Sequence, residues 1–268
     1  MRADLHTHSS ASDGQYAPAE LVRLAKRAGI AVLALTDHDT TDGLPDAIRA
    51  GEQCGVRVLR GIELSAKEYP TFHILGYQFQ PDAPALVSLC QRMHESRENR
   101  KSRILAFLAE QGVPLTEEEA AELAPAASRP HFAQAMIRHG YVSSVQEAFT
   151  RYLGTPEFMR RAGRVRPSAR ECIETIKAAG GIVSLAHPYQ IGLSDEKLET
   201  LVKELCGYGL DAIECFYPRH TPEQTAFYQR LAARFDLYQT GGSDFHGERV
   251  KPDIALTPLE LDLSWLKS

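Results

Sequence analysis

Short apolar runs recur along the chain and read as strands over Ala3–Thr7, Val32–Thr36, Arg57–Glu63, Phe72–Tyr77, Ile182–Ala186, Ala212–Phe216 and Leu237–Gly241. Amphipathic stretches alternate with them. Over Pro18–Ala28, Leu21, Leu24 and Ala25 fall at helical spacing, with Pro18 early in the first turn and Gly29 closing the helix. A second helix over Gly43–Gln53 ends before Gly55, and Thr221-Pro222-Glu223 opens one that runs to Phe235. This alternation predicts βαβ units and a mostly parallel sheet.

The rhythm breaks between Asp82 and Pro167. Ala85–Gln111 reads as one long helix, followed by Thr116–Leu123, a helix opened by Ser128-Arg129-Pro130-His131, and another after Ser143-Ser144. No strand pattern occurs there. The expected organisation is therefore an α/β barrel over 1–99 and 166–268, interrupted by a helical insertion over 100–165. An insertion projecting from a barrel rim would cover the active site and set specificity.

A chain of 268 residues with 43% hydrophobic content fits one α/β barrel or two ordinary domains. No stretch approaches the ~20 apolar residues of a membrane span, and the start lacks the apolar run of a signal peptide, so a cytoplasmic location is expected. Cys54, Cys90, Cys172, Cys206 and Cys215 are odd in number and form no Cys-x-x-Cys pair, which argues against a disulfide framework and a zinc ribbon. A net charge of -5 argues against a surface that coats nucleic acid generally. A local basic patch stays open, and Arg160, Arg161, Arg164 and Arg166 would form one or simply lie in a solvated loop.

The candidate chemistry lies at the strand ends. His6 and His8 follow the first run, His38 sits in Thr36-Asp37-His38, and His73 lies beside Ile74-Leu75-Gly76. His187 follows Ala186, and His246 ends Ser243-Asp244-Phe245-His246. Strand-end loops on one rim of a barrel converge in space, and imidazoles gathered there with carboxylates can hold two or three divalent metals. Residues i and i+2 of an extended strand point the same way, so His6 with His8, and Asp244 with His246, can each face one centre. Glu63 ends its strand with two oxygens able to bridge two cations, although alone it would read as an exposed glutamate or a cap. Asp13, in Asp13-Gly14, would in isolation read as a turn residue.

These motifs together resemble the PHP (polymerase and histidinol phosphatase) superfamily of metal-dependent phosphoesterases, over Met1–Phe79 and Gly181–Gly247. The resemblance implies a distorted (β/α)7 barrel with up to three metals at the strand C-terminal ends. It implies that His6, His8, Glu63 and Asp244 hold one metal, that Glu63 bridges to a second held by His73 and His187, and that Asp13, His38 and His246 hold the third. Ser128-Arg129-Pro130-His131-Phe132-Ala133 resembles the insertion motif of members that act on nucleoside 3',5'-bisphosphates, some of which also trim RNA from its 5' end. That implies a phosphatase converting adenosine 3',5'-bisphosphate to AMP and phosphate, with Ser128, Arg129 and His131 contacting substrate.

The physical reading of these residues agrees. Arg129 offers a rigid bidentate fork for phosphate, and His131 sits at a helix start, where anions are favoured; a surface ion pair is the competing role for Arg129. His220 would touch substrate or only order the rim. No serine or cysteine nucleophile is required, because metals held by His6, His8, Glu63 and Asp244 would supply hydroxide near neutral pH. The imidazole and carboxylate set suits manganese, iron or zinc better than magnesium, and the resemblance favours manganese. The expected partners are a small nucleotide and short RNA, with no membrane and no protein partner. Alternatives are a 5'-3' exoribonuclease on the same metal centre, a histidinol-phosphate phosphatase, to which the insertion motif does not point, and a non-catalytic scaffold, against which the intact ligand positions count.

Overall fold

Every apolar run read as a strand forms one. The computed structural model describes residues 1–116, 119, 129–163 and 165–266, the Glu98 side chain excepted. The strands are β1 (Arg2–Thr7), β2 (Val32–Leu35), β3 (Arg57–Ser65), β4 (His73–Tyr77), β5 (Ile182–Leu185), β6 (Ala212–Phe216) and β7 (Tyr238–Gly241), with a short β8 (Leu259–Glu260) that no apolar run announces. Helices α1 (Pro18–Arg27), α2 (Leu44–Cys54), α7 (Ala169–Ala178), α8 (Asp195–Tyr208) and α9 (Pro222–Arg234) join them. β2 and β5 are buried along their whole length, as strands covered on both faces must be. Thr221 starts α9 with a reciprocal capping pair, its hydroxyl accepting from the Gln224 amide at 3.2 Å while the Gln224 side chain accepts from the Thr221 amide at 2.9 Å.

The sheet order is β7-β6-β5-β4-β3-β2-β1-β8. Most neighbouring strands are parallel, as expected, but β4 runs antiparallel to both β3 and β5. The connection over 66–72 is too short for the helical crossover that parallel neighbours need. The reversal places the start of β4, and so His73, on the rim where β1, β2, β3 and β5 end.

The ring is closed by the segment after β7. The Asp244 amide donates to the His6 carbonyl at 2.8 Å, and the His8 amide donates to the Phe245 carbonyl at 2.9 Å. Gly242 permits this approach, since a Cβ there would lie 2.3 Å from the His6 Cβ and 2.5 Å from its amide nitrogen. Alternate residues of successive strands, including Leu5, Ala34, Leu59, Leu75 and Tyr77, share one buried cluster with Trp265. That is the inner face of a nearly closed barrel. Trp265 lies 6.0 Å from Tyr77 and 5.7 Å from Tyr238, so together with β8 it covers the end away from the histidines.

The chain divides into two compact units, Met1–Cys90 with Arg166–Ser268, and Gln91–Val165. The division falls inside α3 (Pro84–Glu110). The second unit also contains α4 (Arg129–Arg138), α5 (Val145–Ala148), a π-helical turn over Phe149–Leu153, and α6 (Pro156–Arg161). It has its own core, including Ile104, Phe107, Phe132, Met136, Leu153 and Phe158. Most of the expected helix Thr116–Leu123 lies outside the described residues, as do Ser128 and Arg164. No helix among the described residues is long and apolar enough to cross a membrane.

Candidate metal centre

The rim of the first unit gathers the predicted ligands around Glu63. Its carboxylate is fully buried, and its strand end is pinned to the segment after β2: the Glu63 amide donates to the Asp37 carbonyl at 3.2 Å and the Asp39 amide to the Glu63 carbonyl at 2.9 Å. Oε2 faces His8 Nε2 at 3.1 Å, His38 Nδ1 at 3.1 Å and His6 Nε2 at 3.3 Å. Oε1 faces His73 Nδ1 at 2.8 Å and His187 Nε2 at 3.0 Å. One carboxylate thus presents an oxygen to each of two groups of imidazoles.

Asp244 joins the first group, with Oδ1 3.4 Å from His8 Nε2 and 3.7 Å from His6 Nε2. Its other oxygen accepts from Lys251 Nζ at 2.6 Å and from the Tyr217 hydroxyl at 3.1 Å, which leaves Oδ1 for the histidines. A further group surrounds Asp13, whose Oδ1 lies 3.3 Å from His246 Nε2 and 3.8 Å from His8 Nδ1 and whose Oδ2 lies 3.8 Å from His38 Nε2. The rings of His8 and His38 therefore face two groups each. Asp37 fixes the turn that carries Asp13, accepting from the Ser9 amide at 2.7 Å, the Ser9 hydroxyl at 2.7 Å and the Ser12 hydroxyl at 2.6 Å. Gly14 completes the turn, because a Cβ there would meet the His8 carbonyl oxygen at 2.3 Å.

The donor set fits divalent cations. Three groups of these side chains each bring their ligand atoms within 4.8 Å of one another: His6, His8, Glu63, Asp244; His8, Asp13, His38, His246; and His38, Glu63, His73. His6 Nε2, both nitrogens of His8, His38 Nδ1 and Glu63 Oε2 are buried without a hydrogen-bond partner among the described residues. Buried polar atoms are rarely left so, and a cation is the partner that would satisfy imidazole and carboxylate together. Backbone strain gathers on the same rim, where Asp39, His187 and Asp244 hold φ of 56°, 24° and 58°.

Electrostatics follow from the crowding. Burial alone would push Glu63 and Asp244 up, but the surrounding imidazoles prevail and hold both carboxyls well below the usual range. Burial pulls His8 down, yet the carboxylates of Asp244 and Glu63 that face it outweigh that and raise it to about 9. For His38 burial wins, and it falls to about 3.

Asp37, Lys251 and Glu214 are contributors that the motifs did not single out. Glu214 left one sequence signal, a carboxylate inside the apolar run Ala212–Phe216. Lys251, among polar residues, left none. His220 lies in an aromatic group, 5.2 Å from Tyr217 and 4.8 Å from Tyr228, and its Nδ1 donates to the Cys215 carbonyl at 3.0 Å. Arg129 and His131 belong to the second unit. There Arg129 lies 5.3 Å over the Phe149 ring with Nη1 3.4 Å from the Leu153 carbonyl, while His131 is exposed. Of the basic stretch, Arg161 pairs with Glu110 and Glu157, and Arg166 donates to the carbonyls of Ala66 at 3.2 Å and Pro70 at 3.0 Å.

The PHP domain family matches residues 4–179. A 5'-3' exoribonuclease of Haemophilus influenzae is 37% identical over 247 residues, 91% of this chain and 89% of its own length. A phosphoribosyl 1,2-cyclic phosphate 1,2-diphosphodiesterase of Eggerthella lenta is 35% identical over 92% of this chain and 95% of its own length. A 3',5'-nucleoside bisphosphate phosphatase of Chromobacterium violaceum is 32% identical over 91% and 86%. Among solved structures, an amidohydrolase of Chromobacterium violaceum with bound sulfate and no metal superposes with a TM-score of 0.73 at 31% identity, over 98% of this chain and 93% of that one.

Proposed function

This chain belongs to the PHP domain family and is a metal-dependent phosphoesterase, and from that premise we propose that it removes the 3'-phosphate of nucleoside 3',5'-bisphosphates. The observation that carries the reading is Glu63, buried with its two oxygens turned to two groups of imidazoles. His6, His8, Glu63 and Asp244 would hold one cation, Glu63 with His73 and His187 a second, and Asp13, His38 and His246 a third. Divalent cations bound there supply Lewis acidity toward a phosphoryl oxygen and lower the pKa of water. Manganese is the preferred ion, with iron or zinc as alternatives for the same donors.

The chain's own residues then orient the substrate. Arg129 and His131 would hold the phosphate that is not cleaved, Ser128 would contact substrate, and His220 would touch substrate or order the rim. Support comes from the motif around Arg129 and from the bisphosphate phosphatase among the relatives. A 5'-3' exoribonuclease is the second reading, favoured by the Haemophilus influenzae relative.

A phosphate-release panel with manganese decides between them. It contains adenosine 3',5'-bisphosphate, AMP, histidinol phosphate, phosphoribosyl 1,2-cyclic phosphate with a coupled monoesterase, and short 5'-phosphorylated RNA scored for mononucleotides. The bisphosphate should give the highest kcat/KM. A higher value on RNA or on the cyclic phosphate would replace the proposal with that activity.

A further inference from the structure

Glu214 is fully buried on β6 and belongs to none of the three groups of facing ligand atoms. Its two oxygens nevertheless reach two of the histidines. Oε1 accepts from His6 Nδ1 at 3.1 Å, and Oε2 accepts from the His187 backbone amide at 2.6 Å. An ionised carboxylate only accepts, so Nδ1 of His6 carries the hydrogen and Nε2 is turned toward Glu63 and Asp244. The second bond holds the backbone of His187 at a φ of 24°, a conformation an ordinary residue keeps only when its surroundings fix it.

We infer that Glu214 is the positioning residue of the metal centre, setting the ring of His6 and the backbone of His187 at once. Those two histidines face opposite oxygens of Glu63, Oε2 at 3.3 Å from His6 and Oε1 at 3.0 Å from His187. One buried carboxylate therefore aligns donors on both sides of the bridging one, and cations on the two sides share a common support. The inference rests on the metal-centre reading above. It also explains why a charged residue interrupts an apolar strand, where a hydrogen-bonded carboxylate is tolerated only with both oxygens engaged.

Glu214→Gln is the direct test. The amide offers one acceptor edge and one donor edge where two acceptors are required, so it either loses one of the two bonds or draws His6 into the tautomer with its hydrogen on Nε2. Wild type and variant would be stripped with a chelator and titrated with manganese. The variant should bind about 10- to 100-fold more weakly, and excess manganese should restore most of its kcat, a rescue that a general packing defect would not show. Equal binding by the two proteins overturns the role of Glu214 alone; a wild type that binds no manganese overturns the metal-centre reading as well. Should the variant fail to fold, nitrogen NMR of the zinc-loaded wild type supplies the answer. A hydrogen on His6 Nδ1 supports the inference, and zinc on that nitrogen overturns it.

Discussion

Replacing Glu63 with glutamine keeps the shape of the side chain and removes one of its two acceptor edges. The variant should stay folded, bind fewer manganese ions per chain, and lose turnover by about 100-fold or more, a larger loss than removal of an outer hydrogen-bond partner brings. Elemental analysis beside a phosphate assay measures both. Arg129 calls for a selective test. Arg129→Ala should lower hydrolysis of adenosine 3',5'-bisphosphate by about 100-fold while an activated aryl phosphate is cleaved as before, because only the former has a remote phosphate to align it. Arg129→Lys should recover part of the loss, since an ammonium lacks the fork. Equal losses on both substrates would put Arg129 at the reacting phosphoryl group instead. At this scale much of the rim was legible. His6 with His8, Asp244 with His246, and Glu63 stand at strand ends where such side chains meet, and the structure brings them together. Lys251 was illegible because a lysine among polar residues carries no sign of the carboxylate it will reach across the fold. Asp37 was hidden differently, beside a histidine that drew the attention while its own oxygens anchor the turn of Asp13.

The elements of the barrel were readable as types and less so as directions. Apolar runs announce strands because strands covered on two faces have few polar positions, and the seven expected strands appear within a residue or two of their expected ends. The reversal of β4 was encoded in the short stretch between Ser65 and His73, but the alternation of strands and helices assigned no direction to that one strand. β8 has only the two residues Leu259–Glu260 and makes no pattern at all. The closing strand pair gives a prediction of its own. Gly242→Ala would drive a methyl into the backbone of His6, whose amide nitrogen would lie 2.5 Å from it. A loss of about 1–3 kcal/mol or more is expected from such overpacking, read as a lower urea midpoint. Manganese affinity should fall with it, because the displaced residue is itself a candidate ligand. An unchanged midpoint would mean that the seam opens without cost.

For the whole molecule, pH should act in opposite directions on the empty and the loaded protein. His8 is raised from 6.5 to about 9, so it favours the metal-free fold below pH 6.5, and that contribution is lost as pH rises through about 9. A cation must displace the same proton, since only neutral imidazole ligates. Manganese affinity should therefore rise by up to about tenfold per pH unit for each proton displaced, levelling off near the raised value. His38, lowered to about 3, needs no such displacement. Calorimetric titrations in buffers of different ionisation enthalpy would count the protons released, and a pH-independent affinity between 6 and 8 would contradict the assignment of His8 as a ligand.

The seam between β1 and the segment after β7 has a consequence for how the protein is made. Asp4 and Ser243, 239 positions apart, are joined by a hydrogen bond of 2.9 Å, and the candidate ligands Asp244 and His246 lie just beyond it. During synthesis the two early histidines leave the ribosome long before their distant partners exist. The cluster can be completed only after the segment carrying Asp244 and His246 has been made, the same segment that closes the ring. A chain released early, at residue 242, would keep His6, His8 and Glu63 yet lack Asp244 and His246, so tight metal uptake would mark those molecules whose synthesis ran past His246.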